Sequence, residues 1–164
     1  MAVVTNVTCR VAATETRADD LTTVKAPHLL DFAQTVASGT SSNQNDVVYS
    51  DTVVLTAAPT TYDLRGALTK AVGSLANFVK VTTIMIVNKS STTGQSLTIG
   101  AGSNPWITWL IATGDGVVLG PGGVFLLHSP IDGYATTAGT GDILTLDPGA
   151  NAFSVDIIFC GRSA

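Results

Sequence analysis

Nine residues, Val79-Lys80-Val81-Thr82-Thr83-Ile84-Met85-Ile86-Val87, decide the kind of fold open to this chain. The run is β-branched or apolar nearly throughout, and β-branched side chains lose rotamer freedom in a helix while packing well on a pleated surface. A polar turn, Asn88-Lys89-Ser90-Ser91-Thr92-Thr93-Gly94, ends it after nine residues, where a useful helix would continue. The run therefore predicts a β-strand. Val79, Val81 and Thr83 alternate with Lys80 and Thr82, and from Ile84 both faces turn apolar. The expected strand enters the core half exposed and finishes covered on both sides.

The same punctuation repeats from about residue 41 onward. Val47–Leu55, Thr61–Leu64, Ser96–Ile99, Trp106–Ile111, Val117–Leu119, Val124–His128, Tyr134–Thr137, Ile143–Leu146 and Ala152–Cys160 are short apolar segments between Gly, Pro, Asn and Asp. Gly120-Pro121-Gly122-Gly123 and Ala138-Gly139-Thr140-Gly141-Asp142 each predict a hairpin between the segments they join. Leu68, Val72, Leu75 and Phe78 have near-helical spacing, but Gly66 and Gly73 limit the segment to one or two helical turns or an irregular link. Strands at this spacing without a βαβ rhythm imply an all-β fold, an antiparallel β-sandwich that is jelly-roll-like, over residues 41–164.

Residues 1–40 read as an irregular N-terminal arm or leading strand segment. Val3–Thr8 is a short strand candidate, Thr14–Lys25 is polar, and Ser38–Asp46 is a loop. Ala26–Phe32 is either a helical turn opened by Pro27 or an extended segment; both readings leave Leu29, Leu30 and Phe32 as candidate interface residues.

At 164 residues, one domain with a substantial core is expected. Hydrophobic residues make up 45%, charged residues 12%, and mean hydropathy is +0.37, so either the surface is largely neutral or another chain covers part of it. The net charge of −4 with scattered Lys and Arg speaks against nucleic-acid binding. No apolar stretch approaches the ~20 residues of a membrane span, and the first residues lack the pattern of a signal peptide. Cys9 and Cys160 have no metal-ligand spacing and read as two free, buried thiols, in keeping with a reducing cytoplasm.

Catalytic motifs are absent. His28 and His128 read as surface or structural residues, and Asp115, Asp132, Asp142 and Asp147 as turn formers whose spacing matches no calcium loop. No metal or cofactor is expected. A hydrolase would need two positioned acids in a cleft, and no such pair can be named. Trp106 and Trp109, three apart on an extended segment, would face opposite sides. Core or edge packing is the favoured reading for them, and a platform for sugars or a subunit anchor is the functional one.

The order of the pieces resembles small virion proteins encoded with tailed-phage head genes. The resemblance is carried by Asn43–Asp46 to Tyr49–Thr52, Tyr62–Leu68, Phe78–Val81 to Val87–Lys89, Gly100–Pro105, Val118–Gly123, Tyr134–Leu146 and Val155–Ile158, about three quarters of the chain. It implies a β-sandwich capsid decoration or cement protein, often a homotrimer, made in the host bacterial cytoplasm and bound to the major capsid protein on the outer capsid surface. It supplies no catalytic residues. A fibre, tail or receptor-binding module that holds glycans through Trp106 or Trp109 is the alternative. Residues 1–40 match least.

Overall fold

The computed structural model describes residues 2–18, 20–66, 68, 69, 75–100 and 102–164. Strands β1 (Thr5–Ala18) and β2 (Thr23–Ser38) form the arm, and β3 (Gln44–Asn45) leads into the body. The body contains β4 (Val47–Leu55), β5 (Thr60–Asp63), β6 (Leu68–Thr69), β7 (Leu75–Ala76), β8 (Lys80–Asn88), β9 (Leu97–Gly100) and β10 (Gly116–Leu119). It closes with β11 (Val124–His128), β12 (Tyr134–Ala135), β13 (Ile143–Asp147) and β14 (Phe153–Arg162). No helix occurs among the described residues. The near-helical spacing of 68–78 resolves into β6 and β7 paired antiparallel, with Val72 outside the described residues.

Two sheets face each other, β10-β9-β13-β5 and β11-β8-β14-β4. Four antiparallel pairings nest inside one another: β4 with β14, β5 with β13, β8 with β11, and β9 with β10. These are the pairings of one long hairpin, rolled until β8 meets β14 and β9 meets β13. The body is thus an eight-stranded jelly roll, as the sequence implies.

Strand β14 shows why the sheets stack. Phe153, Val155, Ile157 and Phe159 alternate inward and are buried, while Ser154, Asp156 and Ile158 point out. Opposite them, Leu97, Ile99, Leu144 and Leu146 fill the layer from the other sheet. Tyr49, Tyr62 and Phe78 each set a ring about Phe159, with centroids 5.9–6.4 Å away.

The order of coverage along β8 is the reverse of that expected. Val81 to Ile84 are buried on both faces, whereas Met85 is exposed. A bulge is the cause: Cys160 pairs Thr83 but Gly161 pairs Val81, so Thr82 is extra and Val81 and Ile84 both reach the core. Gly161 is obligatory there, because a Cβ would collide with the Lys80 carbonyl oxygen and the Phe78 ring.

The two tight turns do not make hairpins. Strands β10 and β11, on either side of Gly120–Gly123, lie in different sheets, and so do β12 and β13 around 138–142, where one bridge joins Thr137 to Gly141. The first arch is held by buried Asn88, whose Nδ2 donates to Gln95 O (2.9 Å), Leu119 O (3.2 Å) and Gly120 O (3.1 Å). An internal carboxamide thus supplies the partners that a strand neighbour would have given.

The arm is regular rather than irregular. Fourteen consecutive residue pairs join β1 to β2, from Thr5–Val36 to Ala18–Thr23, and Ala26–Phe32 is extended within it. Pro27 is tolerated because this ribbon has little on its outer edge: β3 meets β2 only at Ala37 and Ser38.

Candidate interaction surface

Residues directly opposed across an antiparallel pair share a face, so the register of β1 and β2 sorts the arm into two surfaces. One carries Cys9–Phe32, Val11–Leu30, Ala13–His28 and Glu15–Ala26; the other carries Arg10–Asp31, Ala12–Leu29, Thr14–Pro27 and Thr16–Lys25. Leu30 and Phe32 therefore lie together on an apolar face, and Leu29 lies on the opposite, more polar one. Residues 8–18 and 20–33 are all exposed, including Val11 (60%), Leu30 (70%) and Phe32 (43%). Cys9 is exposed as well, contrary to the expectation of two buried thiols; it is free, and so is buried Cys160.

The root of the ribbon is fastened by polar bonds. Asn45 Nδ2 donates to Thr5 Oγ1 (3.0 Å), the bulged Thr82 hydroxyl lies 2.6 Å from Asn45 Oδ1, and the Val3 amide donates to Ser38 Oγ (3.1 Å). The half-buried His128 extends the junction: its Nδ1 is 2.9 Å from Thr83 Oγ1, its Nε2 is 3.2 Å from Gln34 Oε1, and its ring meets Phe32 edge-on at 5.9 Å. Gln34 Oε1 can only accept, which makes Nε2 the protonated nitrogen of the neutral ring and Nδ1 the acceptor from Thr83. Burial lowers the His128 pKa below its usual 6.5.

His128 stands on the outer face of the β11-β8-β14-β4 sheet. Register places Val124, Leu126 and His128 on that face of β11, Val87, Met85 and Thr83 beside them on β8, and Asp156, Ile158 and Cys160 on β14. The His128–Thr83–Cys160 row is covered by the arm root. The next two rows, with Leu126, Met85, Ile158, Val124 and Val87, form an apolar strip that ends at the Lys89–Asp156 ion pair (3.2 Å). A shallow groove between Val7 of the ribbon and Met85, Leu126 and Ile158 makes the strip continuous with the arm.

The tryptophans lie elsewhere, one buried and one half-buried. Residues 107–110 form a turn closed by Leu110 N to Ile107 O (2.8 Å) instead of a strand, so both rings fall on one side with centroids 5.8 Å apart. Trp106 is fully buried and donates from Nε1 to Ala135 O (2.9 Å); Trp109 donates to Trp106 O (2.9 Å) and packs on Phe125. The extended reading overlooked this turn, which lies between the two tryptophans, after Pro105 has bridged to Ile143.

Nothing among the described residues gathers into a reactive constellation. No group of three or more His, Cys, Asp and Glu is placed to hold a metal ion. Asp115, Asp142 and Asp147 close their own turns by accepting from the amides of Ala112, Gly139 and Gly149. A groove over the other sheet, lined by Thr61, Thr98, Asn104 and Thr145, contains one carboxylate, Asp147. No protein family, curated protein or solved structure matches the chain.

Proposed function

We propose that this chain is a non-enzymatic structural protein of a tailed-phage virion, a decoration or cement protein that binds the outer surface of the assembled capsid and stabilises it. The observation that supports this reading best is the ribbon. Two-stranded hairpins are marginal in water by themselves, yet here fourteen residue pairs extend from a jelly roll, and Val11 and Leu30, on the face of the ribbon beyond Phe32, stay exposed among the described residues. Such an element serves attachment: its ordering and solvation costs are recovered when a neighbour covers it. The jelly roll alone does not choose, since it carries both virion and lectin domains. Burial of Trp106 removes one of the two rings that the glycan-binding alternative would use, and Trp109 is half-buried against Phe125.

A cement stabilises by mass action, because it binds the assembled shell and not the free subunits. Purified particles should contain a 16.8 kDa band in many copies, and particles stripped of it should lose infectivity or genome at lower temperature or salt. Unchanged particle resistance after stripping would refute the reading.

A further inference from the structure

Among the described residues, the polar contacts that fasten the ribbon to the body come from Asn, Thr and Gln side chains, the Cys160 thiol and one imidazole. We propose that the imidazole is a proton-operated latch: neutral His128 holds β2 against the outer sheet, and protonated His128 lets go of Gln34 and Phe32, so that the ribbon swings on its root. The latch works wherever the protein is attached and does not depend on the virion reading.

The hydrogen bonds fit one charge state of the ring. Gln34 Nε2 donates to Asn43 Oδ1 (3.2 Å), which turns Gln34 Oε1 to the ring as the acceptor for its Nε2–H. Nδ1 is then left to accept from Thr83 Oγ1. A second proton on Nδ1 takes away that lone pair, and the Thr83 hydroxyl must turn its own hydrogen elsewhere. Thr83 is buried and its hydroxyl has no other partner among the described residues, so the turn leaves a buried donor unpaired. Burial also opposes the charge, and no carboxylate offsets it. On the ribbon, Cys9 stands opposite Phe32, while Arg10 and Asp31 oppose each other on the far face. On β14 the row holds Cys160, a thiol whose pKa burial raises, and Arg162 beyond it turns to the carbonyls of Ser41, Ile131 and Asp132. On β8 the nearest charged residue along the strand, Lys80, is itself a cation, and Asp132, past the end of β11, is exposed.

Linkage makes the effect reciprocal. Covering the ring lowers its affinity for a proton, so a proton weakens the cover by the same factor, about tenfold for each pH unit by which the folded pKa lies below 6.5. The release is local, because the other root bonds, Asn45 to Thr5, Asn45 to Thr82 and Val3 to Ser38, join amides and hydroxyls that do not titrate. Those bonds are the pivot, and Phe32 and Gln34 are the part that lifts.

The test is NMR on the full chain, with His28→Gln so that one imidazole remains. At pH 7.5 the His128 ring should show Overhauser contacts to the Phe32 ring, whose centroid is 5.9 Å away. Those contacts should vanish as pH falls, with the midpoint of the ring's own titration, while the amide signals of Ile143–Asp147 in the opposite sheet stay in place. Hydrogen exchange of the amides from Phe32 to Val36, corrected for intrinsic rates, should quicken by up to about tenfold per pH unit below 6.5. Phe32→Ala, which uncovers the ring, should move its pKa up towards 6.5, and His128→Gln should remove the pH dependence of exchange at the root. Ring contacts that survive protonation overturn the inference. So does the loss of the Ile143–Asp147 signals at the same midpoint, since the whole roll would then be unfolding. An unchanged His128 titration in Phe32→Ala, or a pH dependence of exchange that persists in His128→Gln, overturns it as well. The titration of the otherwise unaltered chain decides the matter even where a variant fails to fold.

Discussion

Asn88 is where one side chain controls the topology, because it is buried and its amide group holds three carbonyls of the first inter-sheet arch while its Oδ1 accepts from Ser90 N at 3.0 Å. Asn88→Leu keeps the volume and orphans those groups, so it should cost about 3 kcal/mol or more, read as a fall of roughly 6–12 °C in Tm. Gly161→Ala fails for a steric reason and should destabilise by about 1–3 kcal/mol, since neither the Lys80 carbonyl nor the Phe78 ring can move without opening the bulge. Arg162 is buried, and its guanidinium donates to three carbonyls, Ser41 O (3.0 Å), Ile131 O (3.2 Å) and Asp132 O (2.6 Å), joining the loops on either side of the arm root. The pH response belongs to His128. Its folded-state pKa lies below 6.5, so the unfolded chain binds more protons between those two values and stability rises with pH across that window. Tm should therefore drop as pH falls from about 6.5 towards 5, and His128→Gln should flatten that dependence. Asp156, whose pKa is lowered by bonds from Thr52 and Lys89, acts only below 3.8.

At the scale of elements, the ribbon and the jelly roll are separable. None of residues 8–18 or 20–33 is buried, so replacing 8–33 with a short turn should leave Tm within a few degrees of the full chain while abolishing attachment to particles, measured by co-sedimentation. Hydrogen exchange adds a complementary expectation: ribbon amides beyond Phe32 should exchange quickly in a monomer and slowly once covered. The body was legible in the sequence because its strands are two-periodic or β-branched: Val47–Leu55 is β4 residue for residue, and the organising run is β8 displaced by one. Connections were less legible. A Gly-Pro-Gly-Gly turn has the same local chemistry whether the next strand stays in its sheet or crosses to the other, and the choice is made by Asn88, thirty-two residues before Gly120. The arm looked irregular because its strands bury almost nothing, so no hydrophobic alternation was selected along most of it; only the register exposes the Cys9, Val11, Leu30 and Phe32 stripe. The tryptophans misled for a related reason: the rule of opposite faces holds for an extended chain, and this one turns between them at 107–110.

At the scale of the whole molecule, the low charge and high apolarity noted in the composition have a location. They concentrate in a jelly-roll core and in two exposed patches that meet at Val7, Met85 and Leu126. The same nested pairing that makes the roll also sets when it can form. Strand β14 occupies an interior position of its sheet, between β4 and β8, yet residues 153–162 follow every other strand in chain order. Until those ten residues are made, β4 and β8 have no common neighbour, and the roll's most distant contacts, from Leu55–Phe153 to Val47–Gly161, span about a hundred residues of chain. Contacts so far apart close slowly, on the millisecond-to-second scale typical of such topologies. The ribbon's pairs are local and can zip first. A hairpin that buries so little is marginal without the body that fastens its root, so a chain stopped at Asn151 should lack the roll and hold the ribbon only fleetingly.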